Sequence, residues 1–263
     1  MPLTFPSHLA PVLPLKLWRP RWFDGVALVC GAVAPDLSYV ATNGRGDLFA
    51  DTHALPALLW WCLPVALAGT WLLRRSAGTI AAHLPRSRWF AWRDYGVLGS
   101  VRHRWWITVG SALLGAATHV GWDWLTHTDG WLSTLFGVHW YEATGVPWWT
   151  VSDLTSTAVG ALVTVLLAAR IGRRRLLLAG AAPPARPVPR RPGVFWGGAA
   201  VVAAVGCAAL PHLPAAGLLA ATVVRILCVF ALALLAGALA VRVVTASRPA
   251  PRTGRSSGAV RPD

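Results

Sequence analysis

The chain has 263 residues, of which 55% are hydrophobic and only 13% are charged, and its mean hydropathy is +0.52. This composition is too apolar for an ordinary water-soluble domain, so we predict an integral membrane protein. The net charge of +14 does not indicate nucleic-acid binding, because the basic residues form short clusters between apolar runs. Such clusters are typical of cytoplasmic loops, so we expect contact with the lipid bilayer and with anionic lipids at its cytoplasmic face.

Six apolar segments are long enough to be transmembrane helices, each of which needs about 20 residues. In chain order they cover residues 22–40, 53–73, 105–125, 148–169, 194–210 and 215–244. A shorter apolar arm, residues 5–18, precedes them. The predicted fold is therefore all-α, a polytopic transmembrane helix bundle of about six spans plus a short N-terminal helix.

A Pro/Arg-rich segment divides the chain into two unequal parts. We predict a motif-bearing transmembrane domain over residues 1–180 and an extended linker over 181–193. A C-terminal transmembrane hairpin over 194–246 and a disordered tail over 247–263 follow.

The basic clusters also predict an orientation in the plasma membrane. If the clusters after residues 73, 169 and 244 are cytoplasmic, the C-terminal tail is cytoplasmic and the connections 41–52 and 126–147 face outward. The second of these connections contains no Lys or Arg. We therefore expect a multi-pass protein whose outer face carries these two loops.

Acidic and histidine residues collect at the predicted outer end of the spans. Asp36 lies near the end of the first span, His53 opens the second, and His119 and Asp123 lie in the outer part of the third. Asp153 lies near the outer start of the fourth. Because ionisable groups are costly at membrane depth, their collection at one level indicates a functional site.

The spacing of the third-span residues suggests metal binding. Residues four apart share a helix face, so His119 and Asp123 can supply one nitrogen and one oxygen ligand to the same divalent ion, with zinc as the expected metal. His127 continues this face, but about 12 Å of helix rise separates it from His119. We therefore expect His127, like Asp153, to support the site or contact substrate.

Structural explanations remain open for several of these residues. Taken singly, Asp36 after a proline and His53 after a threonine are ordinary choices at helix ends, and a His/Asp pair can simply join helices. His8 lies outside only if the N-terminal arm enters the bundle with Ser7 as its cap. Pro11 and Pro14 disfavour a regular helix there, so both placements of His8 remain open.

Four segments together resemble a known family. They are TFPSH at residues 4–8, GAVAPDL at 31–37, DTH at 51–53 and GAATHVGWDWLTH at 115–127. Over roughly residues 1–170 the chain resembles the bacterial membrane family called domain of unknown function 4184. More distantly, it is similar to membrane-bound metal-dependent hydrolases and to zinc-dependent phospholipase C. That resemblance implies metal ligands at His8, Asp36, His53, His119 and Asp123.

Two departures from the hydrolase-like pattern reduce the number of ligands. Ser38 stands where those relatives carry a second acid, and only Asp51, Thr52 and His53 stand where they carry a longer histidine run. Fewer ligands remain for a second metal ion. The sequence thus predicts an outward-facing His/Asp metal site that hydrolyses a lipid-linked or phosphoester substrate. The alternative is a non-enzymatic membrane structural or assembly protein, or a small transporter, whose polar cluster only joins helices.

Overall fold

A computed structural model describes residues 7–40, 51–179 and 188–247, and within these ranges the chain is helical without a β-strand. The prediction of an all-α fold is confirmed. The α-helices are α1 Leu9–Trp18, α2 Gly25–Val33, α3 Leu63–His83, α4 Trp105–His127, α5 Gly130–Phe136, α6 Trp140–Thr144, α7 Trp148–Arg173, α8 Pro192–Ala209 and α9 Leu219–Ala246. Most of the predicted linker and nearly all of the predicted tail lie outside the described residues.

Three of the described helices are long and apolar enough to cross a membrane, fewer than the six spans predicted. They are α7, α8 with the 3-10 turn that extends it to His212, and α9. Helices α3 and α4 have sufficient length, at 21 and 23 residues. Their sequences are more polar, because α3 carries Arg74 and Arg75 and α4 carries three ionisable residues near its C-terminal end.

The first predicted span, residues 22–40, is not one continuous helix. Asp24 caps α2 by accepting bonds from the backbone N–H groups of Val26 and Ala27, and α2 ends after nine residues. Pro35 then begins a 3-10 helix that runs to Val40. Nine residues rise only about 14 Å, well short of a bilayer core of about 30 Å. The break turns the chain so that Asp36 faces the bundle interior.

Small residues let α2 and α4 pack with their backbones in contact. A Cβ atom added at Gly31 would lie 2.1 Å from the carbonyl oxygen of Ala112, and one added at Gly115 would lie 2.2 Å from that of Leu28. Around this contact lies a core rich in alanine, including Ala27 and Ala116. Close approach of this kind is the usual way that helices associate in an apolar environment.

A buried polar network joins the helices near the N-terminal end of α4. The Asp24 carboxylate accepts bonds from Arg74 Nη2 and Thr108 Oγ1, each at 2.7 Å. Lys16 Nζ donates to the backbone carbonyls of Pro20 and Phe23 at 2.7 Å. About 16 Å of helix rise separates Thr108 from His119, so this network and the predicted site lie at opposite ends of α4.

The C-terminal hairpin packs against the rest of the bundle through a buried arginine. Arg225 in α9 is 2% exposed and donates from Nε to the carbonyl of Tyr39 and from Nη2 to that of Pro214. Tyr39 belongs to the 3-10 helix that carries Asp36. The hairpin therefore holds the segment from which one of the predicted ligands projects.

Candidate metal centre

His119 is held in one orientation by the close contact of α2 with α4. Its Nδ1 lies 2.7 Å from the carbonyl oxygen of Ala32, and the side chain is fully buried. Because a carbonyl can only accept, Nδ1 carries the proton, and the lone pair of a neutral ring is left on Nε2. Nε2 makes no hydrogen bond among the described residues. This nitrogen faces the other predicted ligands.

The Nε2 atom of His53 also faces the other predicted ligands, with Nδ1 on the side of a polar neighbour. Its Nδ1 lies 3.4 Å from Thr52 Oγ1, which itself donates to the carbonyl of Pro35 at 3.1 Å. Thr52 Oγ1 can therefore act as an acceptor towards His53 Nδ1, although 3.4 Å is long for a hydrogen bond. Ser38 Oγ lies 3.1 Å from the same hydroxyl and also donates to Pro35. Such outer hydrogen bonds commonly fix the tautomer of metal-binding histidines.

Asp36, His53, His119 and Asp123 bring one ligand atom each into a single small cluster. His53 Nε2 lies 3.4 Å from both Asp36 Oδ1 and Asp123 Oδ2. His119 Nε2 lies 3.5 Å and 3.3 Å from the same two oxygens. All four atoms lie within 4.8 Å of one another. Nitrogen and oxygen atoms thus alternate around a closed ring.

The four nitrogen-to-oxygen distances around this ring are compatible with a bound metal ion. Hydrogen bonds of this type have lengths of about 2.7–3.2 Å, shorter than all four nitrogen-to-oxygen distances. Ligands placed 2.0–2.1 Å from a tetrahedral zinc ion lie about 3.3–3.4 Å apart. Two imidazoles and two carboxylates also form a donor set that zinc accepts. The residues present therefore fit a divalent ion.

His8 lies on the far side of Asp123 and completes the polar cluster. The ring of His8 stacks on that of His119 with centroids 3.6 Å apart, and its Nε2 lies 3.3 Å from Asp123 Oδ1. His8 stands at the N-cap of α1 with 1% exposure, and α1 is helical in spite of Pro14 within it. Of the two placements left open by the sequence, the structure adopts the one inside the bundle. Ser7 does not occupy the cap position.

His127 and Asp153 form a neighbouring pair rather than part of the ring. His127 Nδ1 lies 2.8 Å from the backbone carbonyl of Asp123, and Nε2 lies 3.7 Å from Asp153 Oδ1. Both carboxylate oxygens of Asp153 are buried without a hydrogen bond among the described residues. That both residues support the site or contact substrate stays a prediction.

The side chains of the cluster differ in exposure. The side chains of His53 and His127 are 27% and 29% exposed, whereas those of His8 and His119 are nearly inaccessible. Between these extremes, the Asp123 side chain is 17% exposed.

Several residues that support the site were not identified from the sequence. Thr52 and Ser38 were noted only as parts of motifs, since hydroxyl residues are too common to indicate a role. Arg225 could have been found, because it is the one charged residue in the first half of a long apolar helix. An arginine inside such a segment usually has a partner within the bundle.

These features define a helical protein with membrane-capable helices and a buried His/Asp cluster that can hold a metal ion. The chain belongs to the family described as a domain of unknown function, DUF4184, whose model matches residues 1–247. The match extends well beyond residues 1–170, which carry the motifs, and includes the C-terminal hairpin. Searches of curated proteins and of solved structures found no match.

Proposed function

We propose that this protein is a multi-pass membrane protein that binds a divalent ion, with zinc preferred, and hydrolyses an ester or phosphoester of a lipid-linked substrate. The observation that carries the proposal is the ring of alternating nitrogen and oxygen atoms at 3.3–3.5 Å. To act on a substrate, an ion held by these four residues would have to take water or substrate as a fifth ligand. It would then acidify that water and polarise a phosphoryl or carbonyl oxygen, which is the chemistry of ester hydrolysis.

The residues around the ring have distinct proposed tasks. Asp36, His53, His119 and Asp123 hold the ion, and His8 orients the second oxygen of Asp123. Hydrolysis also requires a proton to move from the attacking water to the leaving oxygen. His127, whose Nε2 lies 3.7 Å from Asp153 Oδ1, is the partly exposed group that accepts and returns this proton.

An activity assay tests the hydrolytic part of this proposal. We expect the purified full-length protein to release para-nitrophenol from bis(para-nitrophenyl) phosphate or from para-nitrophenyl butyrate. Chelation with EDTA should abolish this activity and added zinc should restore it. Asp153→Asn should lower the rate about a hundredfold, the usual size of a general acid–base contribution, while the metal content stays unchanged. Activity that survives chelation would contradict the proposed role of the ion.

We also propose that α3 and α4 cross the membrane together with α7, α8 and α9, with the cluster near the outer surface. Thr134 in α5 and Arg88 before α4 are both exposed and lie in connections assigned to opposite sides. In a variant without Cys207, we expect Thr134→Cys to react with a membrane-impermeant maleimide on intact cells. Arg88→Cys should react only after permeabilisation. The opposite pattern would invert the topology and place the cluster inside.

A further inference from the structure

An open apolar groove of about 670 Å³ lies between α1, α4, α5 and α7. Its lining includes Pro11, Trp122, Trp131, Trp148, Val159 and Val163. This volume is typical of sites that bind small molecules. The function proposed above does not use the groove.

The groove adjoins the candidate metal centre along two helices, α4 and α7. On α4, lining residue Trp122 directly precedes Asp123. On α7, lining residue Ser152 directly precedes Asp153. Thr126, also in the lining, has its hydroxyl 3.3 Å from His127 Nδ1. A ligand in the groove would therefore have one end beside the polar cluster.

The polar groups of the lining are already used within the protein. The Trp131 and Trp148 indoles both donate to the carbonyl of Leu125, at 3.0 and 2.8 Å. Trp122 Nε1 donates to Ser156 Oγ at 2.7 Å, which joins α4 to α7. The groove thus offers carbon surface and few free hydrogen-bonding groups, a chemistry that suits hydrocarbon rather than a polar ligand or peptide.

The groove also has the length and the position to receive a lipid chain. From Trp148 to Val163 it follows α7 for about 22 Å, whereas one leaflet contributes about 15 Å of hydrocarbon. Helix α7 is one of the candidate spans, and its other large side chains, such as Leu154 and Leu162, are exposed. In a bilayer the groove would open sideways to lipid.

We propose that this groove binds one hydrocarbon chain of a membrane lipid, and that the polar head of the same lipid lies at the His/Asp cluster. This proposal rests on the proposed function and narrows its substrate to a lipid that is drawn sideways from the bilayer. The chain runs along α7 from Trp148 towards Val163, and the scissile ester lies at the end nearest Asp123.

Photolabelling tests the proposal on the full-length, zinc-loaded protein. The probe is a diacyl phospholipid with a diazirine in one acyl chain, placed in vesicles of phosphatidylethanolamine and phosphatidylglycerol. We expect adducts within residues 122–131 and 148–163. Val159→Trp, at a lining position that is 54% exposed, should lower this labelling about tenfold by filling the groove.

Leu162→Trp is the matched control, because Leu162 lies three residues further along α7, is 59% exposed and is outside the lining. It should leave the labelling unchanged. Equal labelling in both variants and in the wild type would mean bulk lipid contact only and would overturn the proposal. Zinc is measured on the same samples. If the protein binds zinc but the groove is not labelled, the lipid-chain proposal is wrong and the proposed function stands. If the groove is labelled but the protein binds no zinc, the proposed function is wrong and the hydrocarbon-binding site stands.

Discussion

Purified wild-type protein is expected to carry about one equivalent of a divalent ion, and His119→Ala or Asp123→Ala should each reduce this to background. Each substitution removes one of the four ligand atoms, so only three remain to bind the ion. Metal analysis after gel filtration measures the effect. The helices should remain folded, because both changes leave the close backbone contacts of Gly31 and Gly115 between α2 and α4 in place.

Two comparisons make this result specific. His139→Ala, at an exposed residue before α6, should leave the metal content unchanged. Chelation should lower the melting temperature of the wild type but not that of Asp123→Ala, because only a protein that binds the ion is stabilised by it. If the wild type carries no ion and both substitutions instead destabilise the fold, the cluster is a structural contact between helices and the non-enzymatic alternative holds.

Part of the cluster follows directly from sequence. The row of His119, Asp123 and His127 is fixed by the helical repeat, and any α-helix over these residues would place them on one face. Asp36 and His53 required a second assumption, that the basic clusters set a common outer level. The structure places both beside the α4 row, although their part in metal binding stays a prediction.

The tautomers of the histidines could not have been predicted in the same way. His119 donates to the carbonyl of Ala32, a backbone atom that carries no sequence signal. The hydroxyl of Thr52 acts through its bond to the carbonyl of Pro35. Both depend on how α2 ends and on how the following chain turns back. These are tertiary contacts, which local spacing does not encode.

The span count illustrates a different limit of pattern reading. A window of apolar residues does not register a change in helix type, so the hydropathy pattern predicts one span over residues 22–40 although α2 ends at Val33. In α4 the polar residues that lower the hydropathy are the same ones that form the site. In a membrane protein, a helix that carries a functional site can therefore have a lower hydropathy than a helix that only anchors the fold.

The contact between α2 and α4 should be among the most sensitive packing sites of the described residues. A Cβ at Gly115 would lie 2.2 Å from the Leu28 carbonyl oxygen and 2.8 Å from the Ala32 backbone nitrogen. Neither atom can rotate away, since both belong to the backbone of α2. We expect Gly115→Ala to lower the free energy of unfolding by about 3 kcal/mol, at the upper end for overpacking.

Gly115→Ala should also empty the metal centre. His119 lies one turn after Gly115, and its Nδ1 bond to Ala32 crosses the interface that the added methyl group would widen. Gly110→Ala in the same helix is the control, because a Cβ there meets nothing within 4 Å. It should be neutral or slightly stabilising, as alanine is the better helix former. Thermal unfolding in detergent and metal analysis measure both effects. Similar melting temperatures and metal contents for the two variants would show that the close approach of α2 to α4 does not position His119.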